Sequence, residues 1–167
     1  MRPLTEPDIR TSFVNCSKGE AKRLDLPEDL ADRPWEDLDF LGWRDPGAPG
    51  RAYLVAERDG RLVGIALRAT SGGSRGFTSR SMCSLCLTTH PGGGVALMTA
   101  RRTGEAGRQG NSVGQYLCTD LACSLYTRGR KQAAGGGVVA VDESLTPEEK
   151  VARTRANLHS FLNKVTG

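Results

Sequence analysis

Apolar positions change rhythm along the chain, and each change predicts a different kind of element. The first third is irregular: Leu24, Leu26, Leu30, Trp35, Leu38, Phe40, Leu41 and Trp43 supply anchors without a sustained period. Such a stretch predicts short helices and turns. Thr5 with Asp8, and Ser17 with Glu20, have the three-residue spacing of a capping box, in which side-chain oxygens satisfy the first free amides of a helix. Asp45 to Gly50 (DPGAPG) is a loop. The pattern then turns to alternating or continuous β-branched and apolar positions over 51–57 and 61–68. Asp59-Gly60 between them tolerates positive φ, so the pair predicts a hairpin.

Ser71 to Ser74 reads as a flexible connection, followed by strands over 77–83 and 95–102 and a glycine turn at Pro91 to Gly94. Residues 108–111 read as a polar turn and 112–117 as another short strand. Asp120 can cap a short helix through Leu121, Cys123, Leu125 and Tyr126, which Gly129 would end. After a loop over 133–137, Thr146-Pro147-Glu148-Glu149 combines an N-cap, a first-turn proline and a capping-box glutamate. Val151, Arg155, Leu158, Phe161, Leu162 and Val165 recur at helical spacing behind it and predict a C-terminal amphipathic helix. No internal repeat is visible. The expected fold class is α+β: a small antiparallel sheet with short N-terminal helices and that C-terminal helix, in a single domain over 1–167.

Composition sharpens this picture in two places. Hydrophobic residues make up 38% of the 167 and aromatics 5%, a lean core that a cross-link would help. The net charge of +4 is unevenly spread. From Ser71 to Gly137 eight basic residues face two acids, a local +6 that leaves −2 for the rest. That region should prefer an acidic or phosphate-rich partner. No stretch approaches the roughly 20 apolar residues of a membrane span, and the N-terminus lacks the order of a secretory signal. The expectation is a cytoplasmic protein with no membrane partner. Arginine far outnumbers lysine, which hints at a GC-rich bacterial genome.

The basic region also holds four of the five cysteines, as two local pairs, Cys83/Cys86 and Cys118/Cys123. In a cytosolic chain a disulfide framework is not expected. The CxxC spacing lets two sulfurs of one turn face a single point. The second pair places one sulfur at a strand end and the other near a helix start, where the helix dipole favours an anion. Two such halves joined by a hairpin build a tetrahedral sulfur cage with the form of a treble clef, over about 77–130. The predicted ligands of one structural zinc are Cys83, Cys86, Cys118 and Cys123, since four thiolates leave no open position for water or substrate. Iron fits the same donors, and a redox-active CxxC is the weaker alternative. The zinc and its thiolates lower the local charge by two, to about +4. Cys16 reads as a buried small hydrophobe and His159 as a solvated histidine; His90, four residues after Cys86, could replace a cysteine ligand, but with four thiols at hand it reads as a loop histidine. The chain contains no GxxxxGK[ST], HExxH or GxSxG motif and only two histidines. Enzymatic activity and a small-molecule substrate are therefore not expected.

Three stretches, MCSLCLTTH from Met82 to His90, GNSVGQYLCTDLACS from Gly110 to Ser124, and FVNCSKGEA from Phe13 to Ala21, carry a resemblance. The chain resembles the C-terminal treble-clef zinc-finger domain of the elongation factor G-binding proteins, the fusidic-acid resistance family, from about Thr5 to the last helix. The resemblance implies that the four cysteines hold zinc. It also implies that the protein binds elongation factor G on the ribosome and promotes its release. It places a binding surface near the zinc site, at Leu87 and Tyr116. The basic residues Arg101, Arg102, Arg108, Arg128, Arg130 and Lys131 would add attraction for the partner. The family's resistance proteins carry a separate N-terminal helical bundle, for which the residues before Cys83 leave no room. A nucleic-acid-binding zinc module, with ribosomal RNA as partner, is the alternative reading of the same basic charge. A structural adaptor is the third.

Overall fold

The computed structural model describes residues 1–70, 80–134 and 144–167. The connection expected at Ser71 to Ser74, most of the loop over 133–137 and the start of the strand expected over 77–83 lie outside them.

The three capping boxes set three helix starts. Thr5 opens α1 (Glu6–Ser12), Ser17 opens α2 (Lys18–Lys22) and Thr146 opens α5 (Pro147–Thr166), each with both reciprocal bonds formed. Two 3-10 turns, Leu30–Asp32 and Trp35–Asp37, complete the N-terminal segment. The expectation of short helices and turns up to residue 44 is corrected by β1 (Phe40–Arg44). Phe40, Leu41, Gly42 and Trp43 are all buried because this strand is covered on both sides. β2 (Arg51–Arg58) and β3 (Arg61–Ala69) form the hairpin expected from Asp59-Gly60, whose φ values are 51° and 72°.

Beyond it come β4 (Ser81–Met82), β5 (Thr89–His90), β6 (Val95–Arg101) and β7 (Ser112–Cys118). α3 (Gly104–Arg108) lies between β6 and β7, where the sequence suggested only a turn. α4 (Cys123–Thr127) follows β7, and Gly129 closes it at φ 67°. The main sheet is antiparallel in the order β1-β2-β3-β6-β7, and β4-β5 is a separate two-stranded ribbon inserted between β3 and β6.

The two faces of the sheet carry two apolar clusters. On one, Leu54, Ile65, Leu67, Met98 and Leu117 pack with the four paired cysteines and with Leu158, Phe161, Leu162 and Val165 of α5. Arg155 does not join that stripe: its guanidinium reaches Asp39, and the buried residue of that turn is Thr154. On the other face, Leu41, Trp43, Tyr53 and Val55 pack against Leu4, Ile9, Leu24, Trp35 and Leu38. The N-terminal segment covers only the β1-β2-β3 half. On the β6-β7 half of that face Arg101, Ser112, Gly114 and Tyr116 stand exposed.

Candidate metal centre

The first half of the centre is a turn between β4 and β5. The Cys83 amide donates to the Thr88 carbonyl at 3.0 Å and the Leu87 amide to the Cys83 carbonyl at 2.9 Å. Leu87 takes φ 57° to complete this knuckle. The second half is the end of β7 and the start of α4. Leu121, at φ 55°, donates to the Cys118 carbonyl at 2.9 Å, and the Asp120 carboxylate accepts from the Ala122 amide at 3.1 Å. Leu121 is pinned by β1, because a Cβ on Gly42 would sit 2.6 Å from its own Cβ. The Ser84 amide donates to the Tyr116 carbonyl at 2.7 Å and joins the two halves.

Together they bring Cys83, Cys86, Cys118 and Cys123, all buried, to within 4.8 Å of one another. Cys83 Sγ lies 3.7 Å from Cys123 Sγ, and Cys86 Sγ lies 3.5 Å from Cys118 Sγ. Tetrahedral zinc with bonds of about 2.3 Å places its sulfurs about 3.8 Å apart. The donor set therefore fits a structural zinc. Four buried thiols cannot all ionise without such a cation. Hydrogen bonding with Cys118, Cys123 and Cys86 holds the Cys83 thiol below its ordinary value, while Cys118, Cys83 and Cys86, together with burial, push Cys123 up.

His90 is where the sequence reading needs correction. It is no loop histidine but a buried residue of β5, 3% exposed, with Nε2 3.3 Å from Cys118 Sγ. Gly94 leaves it room, since a Cβ there would meet His90 Cβ at 2.5 Å. Its ring meets the edge of Tyr126 at 4.7 Å; Tyr126 donates to Asp120 at 2.8 Å, and Lys131 pairs with Asp120 at 2.8 Å. Burial lowers the His90 pKa and keeps the ring neutral. Its spacing from Cys86 pointed toward the cluster, but no local pattern announces its burial in β5 or its contact with Cys118. Cys16 is half-buried rather than buried and stands apart from the sulfur cluster, and His159 is exposed as expected.

Four sulfurs from a knuckle and from a strand-to-helix junction, beside an antiparallel hairpin, are the parts of a treble clef. The family model for the FBP C-terminal treble-clef zinc-finger matches residues 8–165. The chain belongs to that family. Structural zinc in this cluster follows from the family and from the fit of the sulfurs. Comparison with curated proteins finds no match. Among solved structures, the fold is similar to that of the fusidic acid resistance protein FusC, at 16% identity and a TM-score of 0.50. The likeness covers 89% of this chain and 53% of that one, so the zinc-finger chain spans about half its length.

The other residues singled out in the sequence fall in three places. Leu87 and Tyr116 are exposed beside the knuckle, 37% and 46%. Arg101 and Arg102 lie together near the end of β6. Arg128 is instead committed inside the chain: its two terminal nitrogens hold both oxygens of the fully buried Asp39 carboxylate at 2.6 and 3.0 Å. No described helix is long and apolar enough to cross a membrane.

Proposed function

We propose that this zinc-finger domain is a binding module of the translation machinery: it docks on elongation factor G and promotes the factor's release from the ribosome. In this reading Cys83, Cys86, Cys118 and Cys123 ligate one zinc, and the metal fixes the shape of a docking surface. One observation carries the proposal beyond family membership. Of the four large apolar side chains exposed among the described residues, Met82, Leu87 and Tyr116 belong to the knuckle and to the strand bonded to it. Exposed apolar side chains gathered on a rigid turn are what a protein interface uses as anchors. Met82 extends the pair expected from the sequence.

Release by docking needs no chemistry from this chain. It needs tighter binding to the released state of the factor than to the bound one. A zinc closed by four sulfurs offers no position for substrate, in keeping with a non-enzymatic role. Arg101 and Arg102 would steer the encounter.

The test is capture of purified elongation factor G by the zinc-loaded chain. Leu87→Ala with Tyr116→Ala should weaken capture at least tenfold while one zinc per chain is retained, the loss typical of interface anchors. Undiminished capture by that double variant, or none by the wild-type chain, would sink the reading.

A further inference from the structure

Away from the knuckle, the half-open face of the sheet holds a cleft of about 1140 Å³ between the 14–24 segment and the corner formed by β6, β7 and α3. Arg23, Arg51, Arg68, Arg101, Arg102 and Arg108 line it, and Glu20 is the one carboxylate among the described residues that do. One Glu20 oxygen already accepts from the Ser17 amide at 2.8 Å, as the capping box of α2. Arg108 pairs with Glu105 at 2.7 Å, but among the described residues no salt bridge ties Arg51, Arg68, Arg101 or Arg102 to a carboxylate. Arg51 and Arg68 are direct partners across the β2-β3 ladder. Like charges at that position repel and destabilise a free sheet, and an anion lying between them removes the repulsion.

We infer that this cleft binds a single strand of RNA through its phosphates, without reading its sequence. Planar guanidinium forks suit phosphate oxygens bidentately. Around the arginines the surface is largely small and polar, with Asn15, Thr99 and Ser112; Val14 is the one large apolar side chain exposed in the lining, fewer than the several anchors a docked amphipathic helix needs. An acidic peptide adding as a strand would need a free edge. Arg51, Arg68 and Arg101 lie on β2, β3 and β6, all interior to the sheet, and the free edge beside the cleft, on β7, carries no arginine. The inference rests on the cleft and not on the knuckle; Arg101 and Arg102 are shared with the elongation factor reading, so the test uses Arg51 and Arg68, which that reading does not invoke.

Anisotropy of a labelled twelve-residue oligouridylate, titrated with the full zinc-loaded chain, tests it. Three or four phosphate contacts should give a log–log salt slope of about −2 to −3, from about 0.7 per phosphate on single strands. Arg51→Glu with Arg68→Glu should weaken binding at least tenfold with the thermal midpoint little changed, since one like-charged facing pair replaces another. Arg61→Glu with Arg130→Glu, the same change of net charge outside the cleft, should alter binding less than threefold. Equal losses in the two double variants, no binding at 50 mM salt, or tighter binding of polyglutamate or of duplex RNA would each overturn the proposal.

Discussion

His90 shows how a single side chain can tune a metal centre without ligating it. Buried and neutral, with Nε2 3.3 Å from Cys118 Sγ, it is placed to donate an N–H to a metal-bound thiolate. His90→Phe keeps the ring contact with Tyr126 and removes the donor. Zinc affinity should fall about 10- to 100-fold, the usual effect of losing such a partner, with the circular dichroism spectrum retained. Chelator competition measures it, and an unchanged affinity would show His90 to be packing alone. The cysteines beside it were legible in the sequence because their meaning lies in spacing, two pairs a hairpin apart. His90 was not, because its role comes from β4-β5 pairing and the space left at Gly94, neither of which a local pattern encodes.

Between elements, the main polar tie is Asp39, just before β1, held by Arg128 at the end of α4 and by Arg155 of α5 at 2.6 Å. Burial alone would raise its carboxyl, but the hydrogen bonds from Arg128 and Arg155 outweigh that and hold its pKa below the ordinary value. A depressed carboxylate contributes stability that is full above its unfolded pKa of about 3.9 and lost as pH falls through the folded one. Asp39→Asn should therefore cost about 3 kcal/mol at pH 7, the low end for breaking a buried pair. The gap from wild type should shrink below pH 4. Urea unfolding of both proteins across pH 3–7 checks the sign, and a gap that widens in acid would refute it. Arg155 looked apolar-facing because its spacing fits the stripe of α5, and spacing does not register a carboxylate brought from residue 39. β1 was missed for a related reason. A strand buried on both faces shows a continuous apolar run of four, which periodicity cannot tell from a piece of helix. The β2-β3 hairpin was readable because a turn dipeptide separates its two runs, and the capping boxes because they are local chemistry.

For the whole molecule, the sheet divides its dependence on metal. The cluster containing the sulfurs joins one face of the sheet to the knuckle and α5, whereas the one on the opposite face is built from the N-terminal segment and β1-β2-β3 alone. Because zinc binding to a site formed only in the native state is folding free energy, chelation should act unevenly. Hydrogen exchange should rise first over 81–90 and 118–128, while the amides of β2, sealed on both faces, hold longest. Uniform loss of protection would contradict this division. α5 meets the finger directly: Asn157 donates to the Leu85 carbonyl at 2.9 Å, and Thr154 and Thr127 hydroxyls meet at 3.1 Å. Yet α5 follows the last cysteine by more than twenty residues in the chain. During synthesis the four thiols therefore emerge before the helix that roofs them. The ion can enter an open cup and be sealed in afterwards, so the order of the chain makes metal loading an early event and closure a late one.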